Sequence, residues 1–305
     1  ELFGEAAASL KLVLETADEA DAAASEVETV YADALTKQAY FMSQLGYTDE
    51  GLLLAQQSVA ILRRLERFHE LAIPVEIVKY CDGYVGDPMR AAAIDTTKLE
   101  FKEGPKGRWE KAFVTGWQSR GTVRSGEYEQ ARLQIAESLG IFEELGDILA
   151  TVWPRLELGN LAIVQGSIIE AKRHYEEVLN VAQVINFGPA IVKAGRYLGN
   201  IATIQGDFKV ARSYLLASLR LADELGMVRD IVSALYDIAT VEAAAGDKKA
   251  AVRLLTVVQQ HPLSDQTRTF SFWLHDPVVR FRDLAEVLLT KLQDELPPDV
   301  YMAAL

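Results

Sequence analysis

Six glycines, Gly46, Gly86, Gly126, Gly166, Gly206 and Gly246, stand forty residues apart without slippage. A fixed period of this size marks a stacked-repeat chain. Each repeat is then one supersecondary unit whose apolar face is covered only by its neighbours. The 305-residue length is no obstacle, because such an array is not bound by the core size of a single globule.

The dozen residues before each marker glycine and the twenty after it read as amphipathic helices, rich in Ala, Leu, Glu and Arg and poor in β-branched runs. The glycine is the turn between them. In residues 197–211, YLGNIATIQGDFKVA, Gly206 ends the first helix in a left-handed conformation and Asp207 caps the second. Ser167, Asp247 and Thr48 lie at or near the equivalent start positions. Small residues recur twelve apart, where two helices must cross closely: Ala39 with Gly51, Ser119 with Ala131, Gly159 with Ala171, Gly199 with Ala211, and Ala239 with Ala251. Bulky Val59, Leu99, Leu139, Leu179 and Leu219 recur in the second helices as candidates for contact with the next unit.

The run Leu198-Gly199-Asn200, Gly206-Asp207-Phe208, Ala211 resembles the tetratricopeptide repeat, and Leu158-Gly159-Asn160 with Gly166 and Ala171 restates it. That family's usual period is about thirty-four residues, so the surplus lengthens the second helix, as over residues 211–226. The long form resembles the MalT-like sensor regions of bacterial signal-transducing NTPases with numerous domains (STAND) and of LuxR- and AfsR-type transcriptional activators. The resemblance covers most of the chain. It implies an all-α, right-handed superhelix (an α-solenoid) of antiparallel helix pairs with a C-terminal helical cap.

The expected organisation is a second helix left from a truncated repeat at 1–24, six hairpins over 25–262 and capping helices over 263–305. The opening Glu1-Leu2-Phe3 lies in mid-pattern and lacks Met, which suggests a piece excised from a larger protein. Residues 79–107 depart from the pattern: Lys79 replaces the small crossing residue, Gly83 is extra, and Gly104-Pro105-Lys106-Gly107 interrupts the helix. This repeat should pack least well, either as a hinge or through simple drift. His261-Pro262 breaks the rhythm, and 278–296 reads as one helix ending at Pro297-Pro298, resembling the terminal segment of those same sensor regions. Phe270, Phe272 and Trp273 suit either covering the last repeat or docking a partner.

Composition narrows the function. A net charge of -13 argues against direct nucleic-acid binding, which needs a basic stripe. No apolar run is long enough to cross a bilayer. The lone Cys81 permits no intramolecular disulfide and fits a reducing cytoplasm. Catalytic signs are missing: there is no Gly-Lys dipeptide for a phosphate loop, and His69-Glu70 lacks the second histidine of a zinc-protease helix. His69, His174, His261 and His275 are scattered, and Gly116 to Gly121 is one residue out of register for a nucleophile elbow. The expectation is a non-enzyme without metal or cofactor.

In superhelices of the type the resemblance implies, the first helix of each pair lines the concave side. The residue after the small crossing position then forms a ladder, Tyr40, Tyr80, Arg120, Asn160, Asn200 and Thr240. One turn earlier stand Arg196 and Tyr236, and shortly after it Tyr84 and Arg124. Amides both donate to and accept from a peptide backbone, and guanidinium groups grip carboxylates in bidentate fashion. In tetratricopeptide proteins an asparagine after the small glycine often holds ligand, and the resemblance implies that role for Asn160 and Asn200. The expected activity is a sensor module whose groove takes a peptide, protein or small effector and acts on an NTPase or output domain of the same polypeptide. The alternative is a structural arm for self-association into a homo-oligomer.

Overall fold

The structure, a computed structural model, describes residues 22–84, 101–266, 268–269 and 279–305. The chain divides into two compact units, Glu1–Trp117 and Gln118–Leu305. In the first, α1 (Ala22–Leu45) and α2 (Thr48–Arg64) form a hairpin. A 3-10 turn (Phe68–Glu70) and α3 (Ala72–Tyr84) follow, and α4 (Pro105–Arg124) runs across the boundary. In the second lie α5 (Tyr128–Glu144), α6 (Ile148–Val164), α7 (Ile168–Val184), α8 (Gly188–Ile204), α9 (Phe208–Glu224), α10 (Val228–Ala245) and α11 (Lys248–Gln260). The end of the chain is α12 (Leu263–Gln266), β1 (Arg268–Thr269), β2 (Val279–Arg280), α13 (Phe281–Glu295) and α14 (Pro298–Met302). The two strands pair antiparallel, Arg268 opposite Arg280, and are the only β-structure among the described residues. Everything else regular is helical, in consecutive packed pairs.

The turns at Gly46, Gly126, Gly166 and Gly206 close in the same way. At Gly206 the backbone turns left-handed, φ 78°, and the Asp207 N–H donates to the Ala202 carbonyl at 2.9 Å. The Asp207 carboxylate then accepts from the Val210 N–H at 3.1 Å and satisfies one open donor of α9. Asp247 and Asp147 cap α11 and α6 identically. Ser167 precedes α7 without a side-chain cap bond, and Thr48 lies inside the first turn of α2, after Tyr47.

A second set of left-handed residues marks the turns between hairpins: Glu66, Gly146, Asn186 and Gly226. Together with Gly46, Gly126, Gly166, Gly206 and Gly246, they place a positive φ at twenty-residue intervals. The irregular segment breaks this metre, because Gly104 carries the positive φ two residues early. Gly107 follows with its Cα against the Lys102 carbonyl, where a Cβ would not fit.

The small crossing pairs do what their size allows. Ala39, Ser119, Ala131, Ala171, Ala211, Ala239 and Ala251 are sealed from solvent. At Gly159 a Cβ would strike the Tyr175 ring, and at Gly199 it would come within 2.7 Å of Leu215. The deepest second-helix stripe lies four residues before the bulky set read from the sequence: Ala55, Ile135, Tyr175, Leu215 and Leu255 are fully buried. Val59, Leu139, Leu179 and Leu219 are half-buried, and Val59, Leu179 and Leu219 flank apolar clusters. In the second unit each second helix packs on the first helix of the next pair, α7 on α8 and α9 on α10.

After α11 the stack is closed by α13, whose Phe281, Leu284, Ala285, Leu289 and Leu292 join Val252, Leu255 and Val258 in one apolar cluster. The helix begins at Phe281 instead of 278, because Val279 and Arg280 are held in β2. Phe270, Phe272 and Trp273 lie outside the described residues, as do 1–21, Gly86 and Leu99.

Candidate functional site: the first-helix faces

In the second unit the first helices α6, α8 and α10 touch one another as well as their own partners. Their shared face carries a chain of charged and amide groups. The Arg120 Nε donates to Glu157 at 2.7 Å. The other Glu157 oxygen accepts from the Asn160 amide at 3.1 Å, and the Asn160 carbonyl accepts from the Tyr175 hydroxyl at 2.8 Å. Asn160 is therefore spent on both sides by its own repeat.

Farther along, α8 is tied to α10. Arg196 meets Asp237 at 2.9 Å and Asp230 at 3.4 Å, and the Lys193 ammonium lies 3.2 Å from Asp230. Both carboxylates and Arg196 are buried. Burial pushes the Lys193 ammonium down to about 8, with Asp230 pulling the other way. On Asp230 burial is outweighed by Lys193, Arg229 and Arg196, so its carboxyl stays below the ordinary value. Burial likewise opposes charge on Arg196, and Asp237 with Asp230 more than restores it. A saturated network of this kind fixes one arrangement of the two helices, because stripping one partner strands a buried charge.

Asn200 differs from Asn160. It is 1% exposed, and its side-chain oxygen is buried without a hydrogen-bond partner. Thr240 is half-buried, and its hydroxyl donates to the Tyr236 carbonyl at 3.0 Å. Tyr236 is buried in the apolar cluster shared with α11 and α13, where burial raises the pKa of its hydroxyl. Arg124 is exposed near the end of α4.

In the first unit the corresponding face is aromatic. Half-buried Tyr40 of α1 lies 6.1 Å from the Trp117 ring and 5.8 Å from Phe113. Half-buried Tyr80 of α3 lies 5.0 Å from Trp117. Trp109 stacks on Phe113 at 5.4 Å. Tyr84 ends α3, and its side chain lies outside the described part.

The sequence ladder thus separates into distinct environments. Tyr40 and Tyr80 join one aromatic group, while Arg120 and Asn160 join one polar chain. Arg196 is committed to Asp237, Asn200 is sealed with an open acceptor, and Tyr236 belongs to core. Sequence reasoning missed Glu157, Lys193, Asp230 and Asp237. A signal was present: Arg120 to Glu157 and Lys193 to Asp230 are both thirty-seven apart, one repeat less three residues, the spacing at which adjacent first helices face each other. Trp117, Glu157, Tyr197 and Asp237 also share one phase of the forty-residue period.

No family model matches the chain, and no curated protein does. Among solved structures, a Rap protein complexed with Competence and Sporulation Factor is similar in fold at TM-score 0.63 and 12% identity, over 90% of this chain and 74% of that one. A signal transduction ATPase with numerous domains (STAND) with a tetratricopeptide repeat sensor, from Pyrococcus horikoshii, matches at TM-score 0.47 and 11% identity, over 91% of this chain and 45% of that one. BtubC (BKLC) from P. vanneervenii matches at TM-score 0.45 and 14% identity, over 80% of this chain and 91% of that one. The fold is that of a helical-repeat array. Among the described residues no helix is long and apolar enough to cross a membrane, and no cluster of His, Cys, Asp and Glu suits a metal ion.

Proposed function

We propose that this chain is a non-catalytic binding module whose first-helix faces receive a peptide or protein segment, and that it serves as the sensor of a larger bacterial signalling or transcription-regulating NTPase in the cytoplasm. The division into a leftover helix at 1–24, hairpins over 25–262 and a cap over 263–305 belongs to the same reading. The observation that carries it is the Asn200 side-chain oxygen, an acceptor sealed on the first-helix face with no donor of its own. Leaving a buried acceptor unmade is costly, so such a group invites an N–H from outside the fold. The likeness in fold to a Rap protein complexed with a factor supports the assignment.

Ligand contact is assigned to Tyr40, Tyr80, Tyr84, Arg120, Arg124, Asn200 and Thr240, with Asn160, Arg196 and Tyr236 shaping the face from beneath. The test uses a peptide selected from a random library against the whole chain, its affinity followed by calorimetry. Asn200→Ala should weaken binding by up to about tenfold, the worth of one hydrogen bond, with little change in melting temperature. Asn160→Ala should instead lower the melting temperature, because it abandons the Tyr175 hydroxyl and Glu157. Unchanged affinity in Asn200→Ala removes the assignment.

A further inference from the structure

Within the ion-pair network of α8 and α10, Lys193 supplies an amine at the solvent edge. Its Nζ lies 3.2 Å from each oxygen of Asp230, and the side chain is 15% exposed. Arg196 of α8 and Arg229 of α10, both buried, act on the same nitrogen and oppose its charge. Asp230 does not depend on Lys193 alone, since it also meets Arg196 at 3.4 Å and lies in the field of Arg229. The amine is therefore able to lose its proton without stranding the buried carboxylate. Burial brings its pKa down to about 8, so roughly a tenth is neutral at pH 7, about 300-fold more than for a lysine at 10.5. A desolvated, neutral amine is a nucleophile.

The surroundings select the electrophile. The narrow exposure admits only a compact reagent, and a chain of net charge -13 repels anionic acyl donors and favours an uncharged one. Two guanidinium groups beside the nitrogen stabilise a product that is itself an anion. Carbon dioxide meets all three demands.

We propose that Lys193 is a reversible carbon dioxide site, its amine forming a carbamate stabilised by Arg196 and Arg229. The nitrogen lone pair forms the new N–C bond, one C=O pair moves onto oxygen, and the nitrogen passes its proton to water. The products are a side-chain carbamate anion and one proton, with nothing oxidised or reduced. A carboxylate then stands where an ammonium stood, so the Lys193 tie to Asp230 across α8 and α10 is exchanged for attraction to the guanidinium groups.

The test uses the whole chain under isotopically labelled carbon dioxide at constant ionic strength. A trialkyloxonium salt fixes any carbamate as its alkyl ester, and peptide mass spectrometry then locates it on the native chain. At pH 7, Lys193 should carry about tenfold more adduct than any other lysine, since theirs are almost wholly protonated. Carbon NMR at fixed dissolved carbon dioxide should show a carbamate resonance that grows from pH 7 to 8. Lys193→Arg, which keeps a cation beside Asp230 but offers no such amine, should lose it. Adduct spread evenly over the exposed lysines, or confined to the amino terminus, overturns the proposal. So does a resonance undiminished in Lys193→Arg, or a native chain without adduct. Neither readout involves Asn200, so failure here leaves peptide binding standing.

Discussion

The two units put the same repeat to different use on their first-helix faces. In Glu1–Trp117 the face is made of rings in mutual contact, with Tyr40 and Tyr80 half-buried. In Gln118–Leu305 the face is made of ion pairs that consume one another, Arg120 with Glu157 and Arg196 with Asp237. At one phase of the period the occupant changes from Trp117 to Glu157 to Tyr197 to Asp237, while the crossing residues from Ser119 to Ala239 stay small. The comparison shows that periodic pressure acts where helices cross, and that the first-helix face is free to vary unit by unit. It also separates two kinds of rigidity: apolar contact tolerates small shifts, whereas a desolvated ion pair holds one geometry.

The sharpest way to break the comparison is Asp237→Ala. It strips Arg196 of its shorter partner inside the fold and should cost about 3 kcal/mol in urea unfolding. The double change Arg196→Met with Asp237→Leu should recover most of that loss, because no charge is then left stranded. If the single change is silent, the ionic face does not hold α8 to α10.

A smaller effect is expected at the turns. Glu66 is left-handed with φ 56°, a conformation that a side chain disfavours, whereas Asn186 at φ 53° has a residue type that tolerates it. Glu66→Gly should stabilise by about 0.5 kcal/mol, and Asn186→Gly by less, as measured by denaturant midpoints. Equal gains at both sites would reject side-chain strain as the cause.

The smallest effects are opposite responses to acid. Burial raises the Glu110 carboxyl above its ordinary 4.5, the flanking lysines offsetting only part of this. Its contribution to stability is complete below 4.5 and is lost as pH rises through the folded value. Burial, then Arg173, lowers the His174 imidazole below 6.5, so its contribution is present above 6.5 and is lost as pH falls through the folded value. Mild acidification should therefore favour the first unit through Glu110 and disfavour the second through His174. Melting at pH 7, 6 and 5 should show Glu110→Gln without the acid gain and His174→Gln without the acid loss. Parallel profiles for native and variant chains would dismiss either group.

The marker glycines, the cap at Asp207 and the small crossing pairs were legible because each answers a local demand of turn or contact. The turns at Glu66 and Asn186 were not, since Glu disfavours a positive φ and a single Asn, though it tolerates one, does not announce it as the repeated glycines do. The ladder positions do lie on first helices, but their depth was not legible. Arg196 and Tyr236 look like groove residues by phase, yet Asp237 claims one and the cap of α13 encloses the other. Only pairing across helices sets that depth, and pairing is invisible at one position at a time. The start of α13 was misplaced for a similar reason, because Val279 and Arg280 pair with a segment ten residues upstream.

The metre of one left-handed residue every twenty positions constrains how such a chain changes in length. Adding or deleting one residue within a helix would turn everything beyond it by about 100°, carrying first-helix side chains off their shared face and the small crossing residues out of contact. Inserting a whole hairpin leaves every later residue in its former aspect and only lengthens the stack. Evolution and protein engineering alike are thus steered toward duplication in multiples of forty codons, with new surface gained by extension instead of by local repair.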